Sequence, residues 1–431
     1  MTLPIVAPPF LVALNLTRRC NLDCAHCYLD AGTRADGGCE LSTAEVLSVI
    51  DQVAELNSDA MVVLTGGEPL MRPDITSLAR RAADCGLMVV MGTNGMMLDA
   101  ARVERLQQAG VRAVGISLDS LKPAYHDGFR GLDGAWARTM AGIDACRHGG
   151  LMFQIHFSVT DGNAGELDEM IAFCRDAGAA VLNVFFLVCT GRGERVTNIS
   201  AETYDSVLRR LVVAAREEKE LIVRARCAPA FKRMALEADP PLPVTSLKGY
   251  DAGGCMAGRS YCRVTPEGEL TACPYMEESV GSLRKARLAD LWSAAPLFTD
   301  LRAPKLEGRC GVCEYGQVCG GCRARPAARY GAVMGEDFLC TYQPGGSAVV
   351  SLQAADGPPV AWTADAEARL ARVPGFVQRF VRARAEEHAR AQGEAEVTAA
   401  HLDTLAKRRF GDHVPFRSPP PGETSAPETE R

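Results

Sequence analysis

Short apolar segments alternate with amphipathic segments along the first half of the chain. Residues 11–17 read Leu-Val-Ala-Leu-Asn-Leu-Thr and residues 61–65 read Met-Val-Val-Leu-Thr, so each predicts a short buried strand. Between them Ser42 or Thr43 caps a helix with Glu45 in its first turn, and apolar residues follow at helical spacing. The first unit of the pattern is therefore strand, helix, strand.

The alternation continues well beyond this first unit. It predicts helices near 74–84, 99–109, 135–148, 165–177 and 201–218, and strands at 87–91, 111–117, 153–159, 181–188 and 220–226. Strands that alternate with helices predict an α/β fold in which helices cover the outside of a parallel sheet. The six strands between 11 and 188 favour a partial (β/α)6 barrel, a curved sheet that is open on one side.

Unusual motifs follow the predicted strands. A cysteine-rich loop follows the first strand, and Gly-Gly-Glu-Pro at 66–69 follows the second. Thr-Asn-Gly at 93–95 follows the third, and Ser-Leu-Asp at 117–119 ends the fourth. Because ligands bind at the carboxyl ends of strands in a parallel sheet, these motifs predict a binding site along that edge.

The cysteine-rich loop carries Cys20, Cys24 and Cys27 in the spacing C-x3-C-x2-C, with His26 before the third cysteine. Thiolates hold iron–sulfur clusters, and three of them leave one iron of a 4Fe–4S cluster open to a small molecule. A structural zinc site is the alternative, although such sites usually have four ligands in two pairs. The spacing therefore favours a cluster.

Composition narrows the classes of protein. A chain of 431 residues fits two or three domains, and its net charge of −6 gives no basic surface for nucleic acid. The first residues lack the features of a signal peptide, and no apolar run is long enough to cross a membrane. The 17 cysteines then favour metal or redox chemistry over disulfides, and we expect a cytoplasmic protein.

In this order the motifs resemble those of the radical SAM superfamily. The resemblance implies that the open iron chelates S-adenosylmethionine (SAM), whose one-electron cleavage yields a 5′-deoxyadenosyl radical that takes hydrogen from a substrate. It implies that residues 66–69 contact the SAM amino group and that residues 191–193 bind the nucleoside. Ser117 and Asp119 are suited to hydrogen-bond ribose hydroxyls, although Asp119 is equally suited to cap the next helix. The residues expected to contact SAM are His26, Gly66, Gly67, Glu68, Pro69, Thr93, Asn94, Ser117, Asp119, Gly191 and Gly193.

A second group of cysteines lies between 253 and 345, in the order C-x6-C-x5-G-x4-C, then C-x2-C-x5-C-x2-C, then a single C. It resembles the SPASM-type extension of radical SAM enzymes, which binds auxiliary 4Fe–4S clusters. That resemblance implies an inner cluster on Cys255, Cys262, Cys273 and Cys322, and an outer cluster on Cys310, Cys313, Cys319 and Cys340. Two zinc ribbons are the alternative, because C-x2-C pairs also suit zinc.

One spacing in the second group departs from the usual pattern. Three residues usually precede the seventh cysteine, whereas here Gly320 and Gly321 give two. The pairing is therefore open, and a single auxiliary cluster with some free cysteines is an alternative to two clusters. Among the cysteines outside both groups, Cys189 and Cys227 lie nearest the expected pocket, and either is a candidate for an additional ligand.

These features divide the chain into a series of segments. We expect a lead-in at 1–10, the barrel at 11–228, a proline-rich linker at 229–252, the auxiliary domain at 253–345, a second linker at 346–361, a helical module at 362–410 and a disordered tail at 411–431. The module, from Trp362 to Thr398, is similar to the C-terminal helical module of the B subunit of light-independent protochlorophyllide reductase. A generic helical hairpin is the alternative interpretation.

Within the superfamily the chain resembles the enzymes of haem d1 and alternative haem synthesis. The similar residues include Asn15 to Leu22, Leu187 to Gly193 and Cys273-Pro-Tyr-Met. These enzymes remove or decarboxylate propionate side chains of iron tetrapyrroles, so the resemblance implies an iron tetrapyrrole substrate and an electron donor such as ferredoxin or flavodoxin. Because guanidinium binds carboxylate in a fork, the candidate propionate ligands are Arg192, Arg195 and Arg226, and surface solubility is the alternative for each.

Two other functions are weighed against this one. A maturase that modifies a peptide or protein is common among SPASM-bearing enzymes, but it leads us to expect a recognition domain ahead of residue 11, where there is no room. An iron–sulfur electron-transfer or scaffold protein needs no SAM motifs, so residues 66–69 and 117–119 argue against it.

Overall fold

The computed structural model describes residues 6–195, 199–242, 254–351, 360–373 and 375–410. The chain forms two compact units, Met1–Leu352 and Gln353–Arg431. The predicted barrel and auxiliary segments both fall in the first unit, and the helical module falls in the second.

A ten-stranded sheet forms the framework of the first unit, in the order β10-β9-β8-β1-β2-β3-β4-β5-β6-β7. Each neighbouring pair from β1 to β7 is parallel. The strands are β1 Leu11–Asn15, β2 Met61–Thr65, β3 Met88–Thr93, β4 Ala113–Ser117, β5 Met152–Val159, β6 Val181–Phe186, β7 Ile222–Arg226, β8 Tyr261–Val264, β9 Glu269–Thr271 and β10 Ser279–Ser282.

Helices connect these strands. They are α1 Thr43–Leu56, α2 Ile75–Asp84, α3 Ala100–Gln108, α4 Pro123–Arg130, α5 Ala135–Gly149, α6 Leu167–Asp176, α7 Ala201–Glu217, α8 Ala230–Glu237, α9 Leu288–Ala294, α10 Pro296–Arg302, α11 Gly308–Val312 and α12 Ala324–Tyr330. Short 3-10 helices cover Pro69–Met71, Ala164–Glu166 and Gly191–Arg195. At the start of α1, Ser42 and Glu45 form the reciprocal cap that the sequence indicated.

The α/β fold with a parallel sheet is confirmed. Two features differ from the expectation. Helix α4 was not predicted, and it begins with a proline at its first turn and ends before a left-handed glycine, Gly131, which are the usual signals of helix ends. Helix α8 occupies the start of the expected linker, and residues 243–252 of that linker lie outside the described residues, as does the tail at 411–431.

The auxiliary segment extends the barrel sheet. Strand β8 pairs in parallel with β1, with Leu11 opposite Tyr261 and Leu14 opposite Val264. Within the barrel β1 is the edge strand, and an unpaired edge leaves backbone donors and acceptors without partners. Pairing with β8 satisfies them, and it brings the second cysteine group beside the strand that carries the first.

The second unit is a small helical structure with a two-stranded parallel sheet, β11 Ala361–Trp362 and β12 Glu396–Val397. Its helices are α13 Ala364–Ala371, α14 Gly375–Ala391 and α15 Ala399–Phe410. They enclose a core of Ala366, Leu370, Ala385, Ala389, Val397 and Leu402. Among the described residues, no helix is long and apolar enough to span a membrane.

Candidate functional site

The cysteine loop leaves the carboxyl end of β1 and is held by its neighbours through backbone carbonyls. Gly191 lies in the left-handed region with φ of 56°, and a Cβ there would lie 2.7 Å from the Cys27 carbonyl oxygen and 3.0 Å from that of Tyr28. The Arg192 guanidinium donates to the carbonyls of Cys24 (3.0 Å) and Ala31 (2.7 Å). The segment after β6 therefore packs directly on the loop, and only glycine fits at 191.

The three thiols of this loop form a suitable donor set for a cluster. They are free thiols, partly or fully buried. Cys20 lies close enough to Cys24 and Cys27 for their charges to raise its pKa. Apolar residues surround them, among them Leu22 and Leu29. Burial raises the pKa of Cys20 to about 12, so metal binding here must release a proton. Cys20, Cys24 and Cys27 thus fit a three-thiolate cluster site.

A buried arginine stands behind the loop. Arg130, at the end of α4, donates from Nη1 to the Cys24 Sγ at 3.7 Å and pairs through Nη2 with Asp119 Oδ2 at 2.5 Å. Asp119 is fully buried, and its Oδ1 accepts from the Ser158 backbone N–H at 3.0 Å. Although burial alone would raise the pKa of Asp119, Arg130 lowers it below its ordinary value. Arg130 is not among the residues predicted for the site, because α4 was not predicted.

These contacts bear on two expected SAM ligands. Both oxygens of Asp119 contact protein groups, and a contact of this residue with SAM stays a prediction. His26 stacks on Phe129 with ring centroids 4.1 Å apart, and its buried Nδ1 has no hydrogen-bond partner. Burial lowers the pKa of His26 to about 3, so the ring is neutral. An unpartnered ring nitrogen beside Cys27 fits the expectation that a ligand contacts His26.

Glu68 joins the motifs that follow β2 and β3. Its carboxylate accepts from the Thr93 hydroxyl (2.9 Å), the Asn94 N–H (2.9 Å) and the Leu70 N–H (3.1 Å). Burial raises the pKa of Glu68 to about 7. Asn94 in turn donates to Asn21 of the cysteine loop at 2.7 Å. The side chain of Glu68 is therefore occupied in fixing two loops.

The glycines before Glu68 approach the same loop. Gly66 has φ of 141°, and a Cβ there would lie 2.6 Å from the Thr17 carbonyl oxygen. At Gly67 a Cβ would lie 2.4 Å from the Arg19 carbonyl oxygen. Pro69 then opens the short 3-10 helix. The structure thus brings the loop, residues 66–69 and residues 93–94 together, and their contacts with SAM stay predictions.

A row of polar side chains crosses four strands of the sheet. Ser117 of β4 is opposite His156 of β5, which is opposite Asn183 of β6, and Asn183 is opposite Arg224 of β7. Paired residues share a face of the sheet. The intervening residues of β5 are fully buried and apolar, so the row lies on the face away from the core. This face is suited to a polar ligand.

Two of the three candidate arginines, Arg226 and Arg192, have different surroundings. Arg226, at the end of β7, donates from Nε to Asn183 at 2.8 Å and lies near His156, whose pKa burial lowers to about 4. Arg192 is engaged with the cysteine loop instead of this face. The side chain of Arg195 lies outside the described part of the chain. Gly193 is buried in the short 3-10 helix.

The four outer auxiliary thiols lie near one another, and their role as cluster ligands stays a prediction. Cys313 and Cys319 are each within electrostatic range of both Cys310 and Cys340. Gly320 and Gly321, the two residues of the unusual spacing, both have positive φ, at 61° and 68°. This double turn separates Cys319, in the outer group, from Cys322, which lies near Cys255. The shortened spacing is therefore compatible with two thiol groups.

The inner group matches the expectation only in part. Cys255 and Cys322 are both within electrostatic range of Cys273. Cys262 lies on β8 and is fully buried. The charged side chain that influences the pKa of its thiol is Arg302. No described group of three or more His, Cys, Asp or Glu side chains is positioned to bind a single metal ion. Tyr28 packs edge-on against Tyr275 at 5.5 Å and so links the first cysteine loop with this group.

Comparison with known families assigns both cysteine regions. Residues 14–177 match the Radical SAM superfamily, residues 255–322 match an iron–sulfur cluster-binding domain, and residues 362–405 match the Proto-chlorophyllide reductase 57 kD subunit. The fold is similar to that of SuiB from Streptococcus suis, with a TM-score of 0.63 and 17% identity over 78% of each chain.

Two curated relatives are similar over most of their length. An AdoMet-dependent heme synthase from Methanosarcina barkeri is 39% identical over 78% of this chain and 97% of its own length. A pre-heme d1 synthase from Dinoroseobacter shibae is 31% identical over 77% of this chain and 86% of its own length.

The Arg130–Asp119 pair gives a first prediction. Arg130→Met leaves the Asp119 carboxylate buried without its partner, so we expect the free energy of unfolding to fall by about 3–5 kcal/mol. Urea unfolding of the cluster-free protein, followed by circular dichroism, measures this. The double variant Arg130→Met, Asp119→Asn should recover part of the loss, and an unchanged midpoint for Arg130→Met would contradict the pairing.

The packing of Gly191 on the cysteine loop gives a second prediction. Gly191→Ala forces the loop away from its neighbour, so we expect iron bound by the first cysteine group and SAM cleavage to fall by about tenfold, since small misplacements in a site cost this much or more. Gly178→Ala is the matched control, because Gly178 also has positive φ (77°) but open space around it. Equal effects of the two substitutions would show that only backbone strain matters.

Proposed function

Because this chain belongs to the radical SAM superfamily, we propose that it modifies propionate side chains of an iron tetrapyrrole by removal or oxidative decarboxylation. The cofactors are 4Fe–4S clusters and SAM. When bound, they supply a 5′-deoxyadenosyl radical able to take a hydrogen atom from an unactivated carbon. The observation that carries the substrate class is the 35–39% identity to relatives named AdoMet-dependent heme synthase.

The reaction sets requirements that the residues of this chain can meet. Loss of one hydrogen atom and CO2 from a propionate leaves a vinyl group and releases one electron. The released electron needs an acceptor, and the auxiliary thiols supply ligands for one. We also propose that a small electron donor such as ferredoxin or flavodoxin reduces the SAM-binding centre.

The polar row on the sheet supports a site for the substrate carboxylate. His156 is neutral, since burial lowers its pKa to about 4, and Arg226 carries a positive charge near it. Arg226 is the candidate that retains support as a propionate ligand, because its partner Asn183 orients it on the face of the row. Arg192 instead positions the cysteine loop.

The tail module agrees with this substrate class. Residues 362–405 match a subunit of an enzyme named for protochlorophyllide, which is itself a tetrapyrrole. The maturase alternative is weaker, because the relatives at 35–39% identity are named for heme. The electron-transfer alternative does not account for the match of residues 14–177 to SAM-dependent enzymes.

Product analysis tests the proposed reaction. The reconstituted protein, incubated anaerobically with SAM, a reductant and an iron porphyrin such as iron coproporphyrin III, should form 5′-deoxyadenosine and a porphyrin that has lost CO2 and two hydrogen atoms, or a whole propionate. Mass spectrometry measures both products, and Cys20→Ala is the control that should form neither. Formation of 5′-deoxyadenosine with every porphyrin mass unchanged would contradict the substrate class.

Substitution of Arg226 tests the carboxylate site. Arg226→Gln removes the charge and keeps a hydrogen-bond donor, so we expect KM for the porphyrin to rise by about tenfold, in line with about 1.5–3 kcal/mol for a hydrogen bond to a charged group. Cleavage of SAM without porphyrin should be unchanged. Arg175→Gln is the control, because Arg175 lies on the exposed surface of α6. An unchanged KM for Arg226→Gln would remove this residue from the site.

A further inference from the structure

The inner auxiliary group contains three of the four expected thiols, and the fourth position is open to assignment. Cys255, Cys273 and Cys322 are mutually within electrostatic range. A fully ligated 4Fe–4S cluster takes four thiolates. The resemblance to the SPASM-type extension implies that Cys262 is the fourth ligand.

The geometry of β8 directs Cys262 away from the other three. Side chains alternate between the two faces of a strand. Arg263 lies on the face of the thiols, because it donates to the Pro274 carbonyl at 2.7 Å and to the Thr271 hydroxyl at 2.9 Å, beside Cys273. Cys262 therefore points to the opposite face, where it is opposite Val12 of β1 in the apolar core.

The surroundings of Cys262 are those of a core residue. The charged group near it is Arg302, whose guanidinium stacks over Trp292 at 4.5 Å and donates to the Gly258 carbonyl at 2.9 Å. Both Cys262 and Val12 are fully buried. A cysteine in such surroundings packs as a small apolar side chain.

Cys227 is another thiol near the inner group. It follows β7 directly, at the carboxyl end of the sheet. Its thiol is within electrostatic range of Cys322 and Cys255, and Cys273 is within range of Cys227. Cys227 also lies close enough to influence the pKa of Tyr275, which is two residues after Cys273 in the chain. All three inner thiols are therefore near enough to Cys227 for their charges to interact, whereas the charged group that acts on Cys262 is Arg302.

A buried hydrogen-bond network fixes the backbone of Cys227 to that of Cys322. Arg325 donates to the Cys227 carbonyl at 2.8 Å and pairs with Asp337 at 2.8 Å, and both charged side chains are about 1% exposed. The Asp337 carboxylate accepts from the Cys322 N–H at 2.9 Å. One ion pair thus holds the two cysteines, which are distant in sequence, in a fixed relation.

The backbone at Cys227 is held in an unusual conformation. Its φ is +58°, in the left-handed region that residues with a side chain rarely adopt. Such strain persists where the surrounding structure fixes it, and it is concentrated at functional positions. Here it accompanies the hydrogen bond from Arg325 to the Cys227 carbonyl.

We propose that Cys227, and not Cys262, is the fourth thiolate of the inner auxiliary iron–sulfur cluster, together with Cys255, Cys273 and Cys322. The assignment makes the strand end of the barrel part of the auxiliary site. It concerns the cluster ligands alone and holds for any substrate.

Iron content and spectroscopy test the assignment without reference to turnover. In the full chain with Cys20, Cys24 and Cys27 all changed to Ala, only the auxiliary groups remain to bind iron. After anaerobic reconstitution, Cys227→Ala in this background should lose about four iron atoms per chain, or retain three in a 3Fe–4S centre with its own electron paramagnetic resonance signal. Cys262→Ala should keep the iron content and the signals of the background.

Two further variants separate ligand loss from misfolding. Cys227→Gly relieves the positive φ while removing the thiol, so it should lose the same iron with circular dichroism unchanged. Cys174→Ala, in the buried face of α6, is the core control and should keep all iron. Full iron content in both Cys227 variants overturns the proposal. So does a folded Cys262→Ala variant that loses iron while Cys227→Gly keeps its iron content.

Discussion

Each of the two cysteine regions contacts a buried arginine–aspartate pair, and the geometry of each region depends on its pair. Arg130 pairs with Asp119 and donates to Cys24, and Arg325 pairs with Asp337 and donates to the Cys227 carbonyl. A charge taken out of water is costly unless it is paired and hydrogen-bonded. Each pair therefore has few alternative arrangements, and the cysteine segments attached to it are fixed in the same way.

The sheet places these two regions side by side. Strand β8 of the auxiliary segment satisfies the edge of β1, and the first cysteine loop leaves β1 at its carboxyl end. Tyr28 of that loop contacts Tyr275, two residues after Cys273. The backbone hydrogen bonds between β1 and β8 set the register of these two strands. The pairing of the strands therefore sets the distance between the two cysteine regions.

The polar face of the sheet, which carries His156, is suited to the proposed substrate. The row from Ser117 through His156 and Asn183 crosses neighbouring strands on one face, and Arg226 adds a positive charge beside it. Neutral and cationic donors on a rigid sheet are appropriate for a ligand that carries several carboxylates. The strand that carries the cysteine loop and the strands that carry this polar face thus belong to one sheet.

The sequence by itself determined the alternation of strands and helices, the positions of the motifs at strand ends and the superfamily. These properties depend on local periodicity and on short spacings, which can be read along the chain. The tertiary structure alone decided that Arg130 supports Cys24, that β8 joins β1, and that Cys227 faces the inner thiols while Cys262 faces the core. These contacts join residues that are distant in the chain, and the face to which a strand residue points is set by its pairing, so spacing between cysteines does not specify which of them meet.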